Sequence, residues 1–202
     1  MEISVTTAKS GRINVHADGE YYFTVPALIW YASPISGKTQ ADEEELMELK
    51  AAADEHDAYE KALRLLSIRA HAAKELKTKL RQKYPEQACE SAINRLSENG
   101  LIDDEKFASA YADELLRRKN YSPERIVNEL IYRGIDRETA KNAANSLDID
   151  KKQGIINIIN KARLPEEPTK KDVDRLMRRL LSAGYTMREI REVISISQEE
   201  EP

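Results

Sequence analysis

The side chains with chemical potential and a regular order are the cations. Lys74, Lys77 and Arg81 recur at intervals of three and four, so on a helix over 73–83 they share one flank. Lys79 and Lys83 fall on the other flank, and Ala73, Leu76, Leu80 and Tyr84 are left for a buried face. On a helix over 170–183, Lys171, Arg175, Arg178 and Arg179 share the outer side and Val173, Leu176 and Leu180 the inner one. Between these helices stand Arg117, Arg118, Lys119, Arg125 and Arg133. Residues 61–83 hold eight Lys or Arg against one Glu. A row of cations suits a phosphate or carboxylate surface; the alternative is a solvated helix face, which charge runs usually are. The scarcity of acids in 61–83, and the return of basic helices further on, favour binding.

Nothing equally ordered points to catalysis. The phosphate loop GxxxxGK[ST], the dinucleotide turn GxGxxG, HExxH and GxSxG are all missing from the sequence. The acid pair Asp103/Asp104 reads as a helix start, where carboxylates meet unpaired N–H groups; Asp172/Asp174 is a second acid pair. Cys89 lies at helical spacing from Ile93 and reads as a small buried residue, with no histidine near it in sequence. His16, His56 and His71 lack ligand spacing. Trp30, Tyr21, Tyr22 and Tyr31 read as packing residues. The expectation is a non-enzymatic chain with no metal and no cofactor.

The 202 residues are 41% hydrophobic and 34% charged, with mean hydropathy −0.64 and net charge −4. No apolar run approaches the roughly 20 residues that cross a bilayer. The N-terminus has neither a basic leader nor an apolar stretch, and one cysteine excludes an internal disulfide. A cytoplasmic protein, away from membranes, is expected. The charge is uneven: residues 1–53 hold 4 Lys or Arg and 8 Asp or Glu, a net −4, while 54–202 hold 28 of each.

The expected fold is mainly α, with a small β-hairpin or sheet at the N-terminus. Ile3, Val5 and Thr7 alternate, then Ile13, Val15 and Ala17, and Asp18-Gly19 marks a tight turn into Tyr21, Phe23 and Val25. Pro26 ends the ladder, and Thr39-x-x-Asp42 resembles the start of a helix. Beyond it a period of 50 residues stands out. Leu76, Ile126 and Leu176 are in register, as are Leu80, Leu130 and Leu180, then Tyr84, Gly134 and Gly184, then Ile93, Ala143 and Val193. Upstream, Ala58, Ala108 and Ile158 match, and Ala62, Ala112 and Ala162. Each unit reads as three helices. Three such units must cover one another's apolar faces, which predicts an elongated, curved array. The expected division is 1–53 for the strands and a lead-in helix, modules at 54–100, 101–149 and 150–197, and an acidic tail at 198–202.

Several of these residues carry a resemblance. The run from Ala62 to Arg69, Glu75-Leu76 with Leu80, Gly100-Leu-Ile-Asp-Asp104 with Phe107, Ala108 and Tyr111, and Arg125-Ile126 with Glu129-Leu130 and Arg133-Gly134-Ile135 resemble the RecX family of recombination regulators. The likeness spans about 58–145. It departs at Arg69-Ala-His-Ala72, where the family usually places a serine that would cap the following helix.

The resemblance implies tandem three-helix modules in a cytoplasmic, non-enzymatic modulator of homologous recombination, DNA repair and the SOS response. Such proteins bind the RecA filament on DNA and inhibit its ATP hydrolysis, strand exchange or growth. RecA is then the implied partner, with weak or indirect contact to single- or double-stranded DNA, and the chain acts as a monomer. The twelve cations at 74, 77, 81, 117, 118, 119, 125, 133, 171, 175, 178 and 179 become the candidate filament- or DNA-binding residues. The rival readings are a helix-turn-helix-like DNA regulator and a helical scaffold protein.

Overall fold

The computed structural model describes residues 1–199, which form two compact units, Met1–Ile102 and Asp103 onward. In the first, β1 (Ile3–Thr7), β2 (Ile13–Ala17) and β3 (Glu20–Val25) form an antiparallel sheet in the order β1-β2-β3. Asp18 (φ 50°) and Gly19 (φ 84°) both take the left-handed conformation that the β2–β3 turn requires. The buried positions Ile13, Val15 and Ala17 face Phe23, Val25, Trp30, Ile35, Leu46 and Leu49 in one core. Pro26 caps a short helix, α1 (Ala27–Ala32).

The next helix, α2 (Glu43–Leu66), starts at Asp42, where the sequence places it. Asp42 is its N-cap and forms a capping box with Glu45. At 24 residues α2 serves two cores: Leu46, Leu49 and Ala53 pack under the sheet, and Ala58 and Ala62 pack with α3 (Ala73–Leu80) and α4 (Glu86–Glu98). The expected division at 53/54 thus falls inside a continuous helix. Arg12 grips Asp57 with both guanidinium nitrogens, at 2.7 and 2.9 Å, tying the sheet to α2. Helix α3 is shorter than its apolar spacing suggests. It ends at Leu80, and Arg81–Lys83 form a turn. Ala72 supplies no side-chain cap, as the missing serine implies.

The second unit holds α5 (Asp104–Lys119), α6 (Pro123–Tyr132), α7 (Arg137–Asn145), α8 (Lys151–Ala162), α9 (Lys170–Ser182) and α10 (Met187–Glu199). Asp103, Ser122, Asp136, Asp150 and Thr169 cap helices with their side chains, and Thr186 and Glu189 form a reciprocal box at α10. Gly134 (φ 97°) and Gly184 (φ 94°) end their helices in the left-handed region. Gln198 and Glu199 of the expected acidic tail continue α10; the rest lies outside the described residues.

The 50-residue period is a packing period. Leu76, Ile126 and Leu176 are buried, and Leu80, Leu130 and Leu180 are fully so. Ala58, Ala108 and Ile158 are buried too, and Cys89 is a buried thiol among Ala88, Ala92 and Leu96. The aromatics divide differently from expectation. Trp30 is core, but Tyr21, Tyr22 and Tyr31 are 60%, 44% and 71% exposed, because the sheet and α1 cover only one face each. No helix among the described residues is long and apolar enough to cross a membrane.

Candidate functional site

The twelve candidate cations fall into three physical situations. Some are neutralised locally. Lys77 Nζ lies 2.7 Å from Glu86 and 2.8 Å from Glu90, and Arg81 also pairs with Glu86. Donating to the Glu86 and Glu90 carboxylates raises the Lys77 ammonium above its usual range. At the end of α5, Arg117 pairs with Asp113 at 3.0 Å and Arg118 with Glu114 at 2.6 Å, one helical turn back.

Others are structural. Arg125 reaches Glu129 at 2.5 Å and lies 5.4 Å from the centre of the Tyr121 ring. Arg133 donates to Tyr111 Oη at 3.2 Å and lies 4.9 Å from that ring. Both arginines are half-buried.

The third group is open. Among the described residues Lys74, Lys119, Lys171 and Arg179 have no carboxylate within ion-pair distance, and all are exposed. Arg178 spends its Nε on the carbonyl of Asp174, which leaves its charge uncompensated. Arg175 reaches Asp172 only at 3.7 Å, and that carboxylate already serves Thr169 in the α9 cap. Four of these six cations lie on α9, so the third module carries the strongest open positive face.

The scarcity of acids in 61–83 is therefore misleading for the first module. Its counter-charges arrive from α4, nine and thirteen residues beyond Lys77, which only the folded turn at 81–85 brings close. The cations recur in register only in part: Arg125 and Arg175 match, but the flank of α3 does not return on α9. Met177 and Leu181 stand at the repeat positions of Lys77 and Arg81.

Sequence reasoning also missed a polar joint between α6, α8 and α10. Asn120 takes a left-handed conformation (φ 52°), its carbonyl accepts from Tyr185 Oη at 2.8 Å, and its Oδ1 accepts from Asn157 at 3.1 Å. The Ser122 N–H donates to the Ala183 carbonyl at 2.9 Å. Lys151 bridges Glu124 at 3.0 Å and Glu189 at 2.9 Å. Burial alone would raise the Glu189 carboxyl, but bonds from Lys151 and Thr186 overcome it and hold it at about 2. Burial lifts the Tyr185 phenol to about 12, so it stays a donor. Gly154 packs on that phenol with no space for a β-carbon. The residue types are ordinary, and their spacings, from 27 to 65 residues, leave no local signal.

Residues 58–96 match the family model of the first three-helix domain of RecX, and residues 103–143 match that of the second. The chain thus carries two tandem three-helix domains similar to those of RecX. Among curated relatives, regulatory protein RecX of Clostridium botulinum strain Alaska E43 is 29% identical over 206 residues, covering 96% of this chain and 93% of that one. Regulatory protein RecX of Caldanaerobacter subterraneus subsp. tengcongensis is 25% identical over 190 residues, covering 94% and 95%. The match to that of Bacillus velezensis, 27% identical, covers 74% of this chain but only 57% of the longer relative. A crystal structure of regulatory protein RecX superposes with a TM-score of 0.62 at 20% identity, over 96% of this chain and 98% of that one, which shows a shared fold. The RecX structure from Lactobacillus salivarius gives 0.59 at 24% identity, over 73% and 99%. The matched RecX domains correspond to the second half of α2 with α3 and α4, and to α5–α7. Helices α8–α10 repeat the same buried positions once more.

Proposed function

We propose that the chain is a non-enzymatic cytoplasmic modulator of the RecA recombinase that binds the RecA–DNA filament as a monomer and inhibits its ATP hydrolysis, strand exchange and growth. The observation that carries this reading is the open cationic face of α9, Lys171, Arg175, Arg178 and Arg179, in a chain of net charge −4. A positive face on an otherwise acidic protein selects an anionic surface without making the whole molecule a polycation. Lys74 and Lys119 add open charges in the first and second modules, 54–100 and 101–149, and α9 belongs to the third, 150–197. Weak contacts from tandem modules add as avidity, since the second contact is intramolecular once the first has formed. Inhibition then follows if the modules fit one filament state better than another, by no more than that difference in affinity. Direct DNA contact is secondary in this scheme. The match to two RecX three-helix domains, and the named relatives being regulatory proteins, support the same reading.

The test is RecA ATPase on single-stranded DNA with substoichiometric amounts of this protein, and binding to naked DNA alongside. Loss of ATPase at low ratio with weak naked-DNA binding is expected. Unchanged ATPase with tight duplex binding would replace this reading by that of a DNA regulator, and no effect in either assay by that of a scaffold.

A further inference from the structure

The acidic first unit carries a second surface of opposite character. Helix α1, Ala27-Leu-Ile-Trp-Tyr-Ala32, is apolar all round, yet only Trp30 is buried. Leu28 and Tyr31, three residues apart and hence on one face, are 69% and 71% exposed. A helix apolar on every side is normally covered on every side. Beside them, Ile29, Ala32 and Pro34 form one wall of a cleft of about 360 Å³ with Ile35 and Leu49 among its lining residues and Glu48 and Ala52 of α2 opposite. That volume accommodates one large apolar side chain with adjoining backbone.

The polar groups of the cleft say what enters. Ser33 lines it, and its buried Oγ has no hydrogen-bond partner, although its N–H and carbonyl are both used, by Trp30 and Ser36. A buried hydroxyl left unpaired costs stability unless a ligand group meets it. Of the two carboxylates, Glu45 is spent on Lys38 at 2.7 Å and on the N–H of Asp42. Glu48 is exposed and has no ion pair among the described residues. The surrounding residues 1–53 are net −4.

We infer that the α1–α2 cleft is a docking site for a basic peptide segment of a partner protein. One apolar side chain of that segment sits on Ile35 and Leu49, a lysine or arginine pairs with Glu48, and a main-chain group bonds to Ser33 Oγ. The negative rim repels nucleic acid and anionic bilayers, so this face and the cationic face of α9 recognise partners of opposite charge. The inference stands independently of the filament reading.

The probe is a five-residue peptide amide with a central phenylalanine flanked by two arginines on each side, titrated into the isotopically labelled full chain. It is expected to shift the backbone amides of Ile29, Ser33, Leu49 and Ala52 saturably. Ala52→Trp, which fills the cleft from an exposed helix position, should abolish the shifts, and Glu48→Lys should weaken binding at least tenfold. Unchanged circular dichroism and melting temperature of both variants show that neither effect is unfolding. Equal binding of the same peptide with glutamates for arginines, or with serine for phenylalanine, overturns the proposal. So do shifts scattered over other acidic residues, or binding of the chain to phosphatidylserine vesicles that Ala52→Trp removes. Self-association lost in Ala52→Trp would assign the cleft to a second copy and equally overturn it.

Discussion

Helices α3 and α9 occupy the same place in the first and third turns of the repeat and share a buried seam, Leu76 and Leu80 in one, Leu176 and Leu180 in the other. Their outer faces differ in how many cations are paired. Lys77 and Arg81 are quenched by Glu86 and Glu90 at the start of α4, whereas the matching positions at the start of the last helix are Thr186 and Ile190. The open cations of α9 stand at other positions of the helix, 171, 175, 178 and 179, while Met177 and Leu181 replace the paired Lys77 and Arg81, and Glu189 of α10 is turned towards Lys151. The repeat thus keeps its packing and lets its surface diverge. In α3, which cations stay open depends on the carboxylates that α4 delivers.

If packing is the shared part, removing it must cost the same in both places. Leu80→Ala and Leu180→Ala, each fully buried, should each destabilise by about 2–5 kcal/mol in denaturant unfolding. A negligible cost at either site would break the equivalence of the two modules at its root.

The way out of each helix differs. In the third module Gly184 has φ 94°, and a β-carbon there would lie 2.5 Å from Ser122 Oγ and 2.6 Å from Arg125 Cβ. Gly184→Ala therefore combines backbone strain with a clash against α6, and should cost about 2–3 kcal/mol. The first module has Tyr84 at this position, followed by Pro85 as the cap of α4, so Tyr84→Ala should unfold at a melting temperature closer to that of the parent chain.

Much of this was legible in the sequence, because helix cores are written at intervals of three and four and caps within three residues. Leu76, Leu130 and Leu180 announce the seam, and Ser122-Pro123 and Thr186 with Glu189 announce helix starts. The candidate site was legible only as a list of cations. Whether a cation is open depends on carboxylates such as Glu86 and Glu90, delivered by tertiary packing at spacings that no local pattern encodes. The polar joint around Asn120 and Tyr185 was invisible for the same reason, and the exposure of Tyr31 because an apolar run does not say which of its faces is covered.

The joint gives the third module a pH dependence at a position where the first has none, since the repeat position of Glu189 is the buried thiol Cys89. The Glu189 carboxyl, near 2 when folded against an ordinary 4.5, stabilises the fold above its ordinary value. That contribution is lost as pH falls from about 4.5 towards 2, as the carboxylate takes up a proton and releases Lys151. With solvent screening of a partly exposed group it amounts to about 1–2 kcal/mol. Glu189→Gln should lower stability at pH 7 and flatten the acid limb of the unfolding curve. An acid limb unchanged by this substitution would show that the Lys151 bridge is not formed in solution.

The smallest expected effect bears most directly on the contrast between open and paired cations. Arg179→Ala removes an open charge and should weaken filament binding about two- to fivefold at low salt, which corresponds to about 0.5–1 kcal/mol and fades as salt rises. Lys77→Ala removes a charge already held between two carboxylates, so its effect should be under about twofold on the same scale. Glu86→Gln with Glu90→Gln sharpens the test by freeing Lys77 and Arg81 without adding a cation. If local pairing is what silences the first module, this double variant should bind the filament more tightly and with a steeper salt dependence. Equal losses from Arg179→Ala and Lys77→Ala would instead mean that net charge alone sets the affinity, and the difference between the two outer faces would have no bearing on binding.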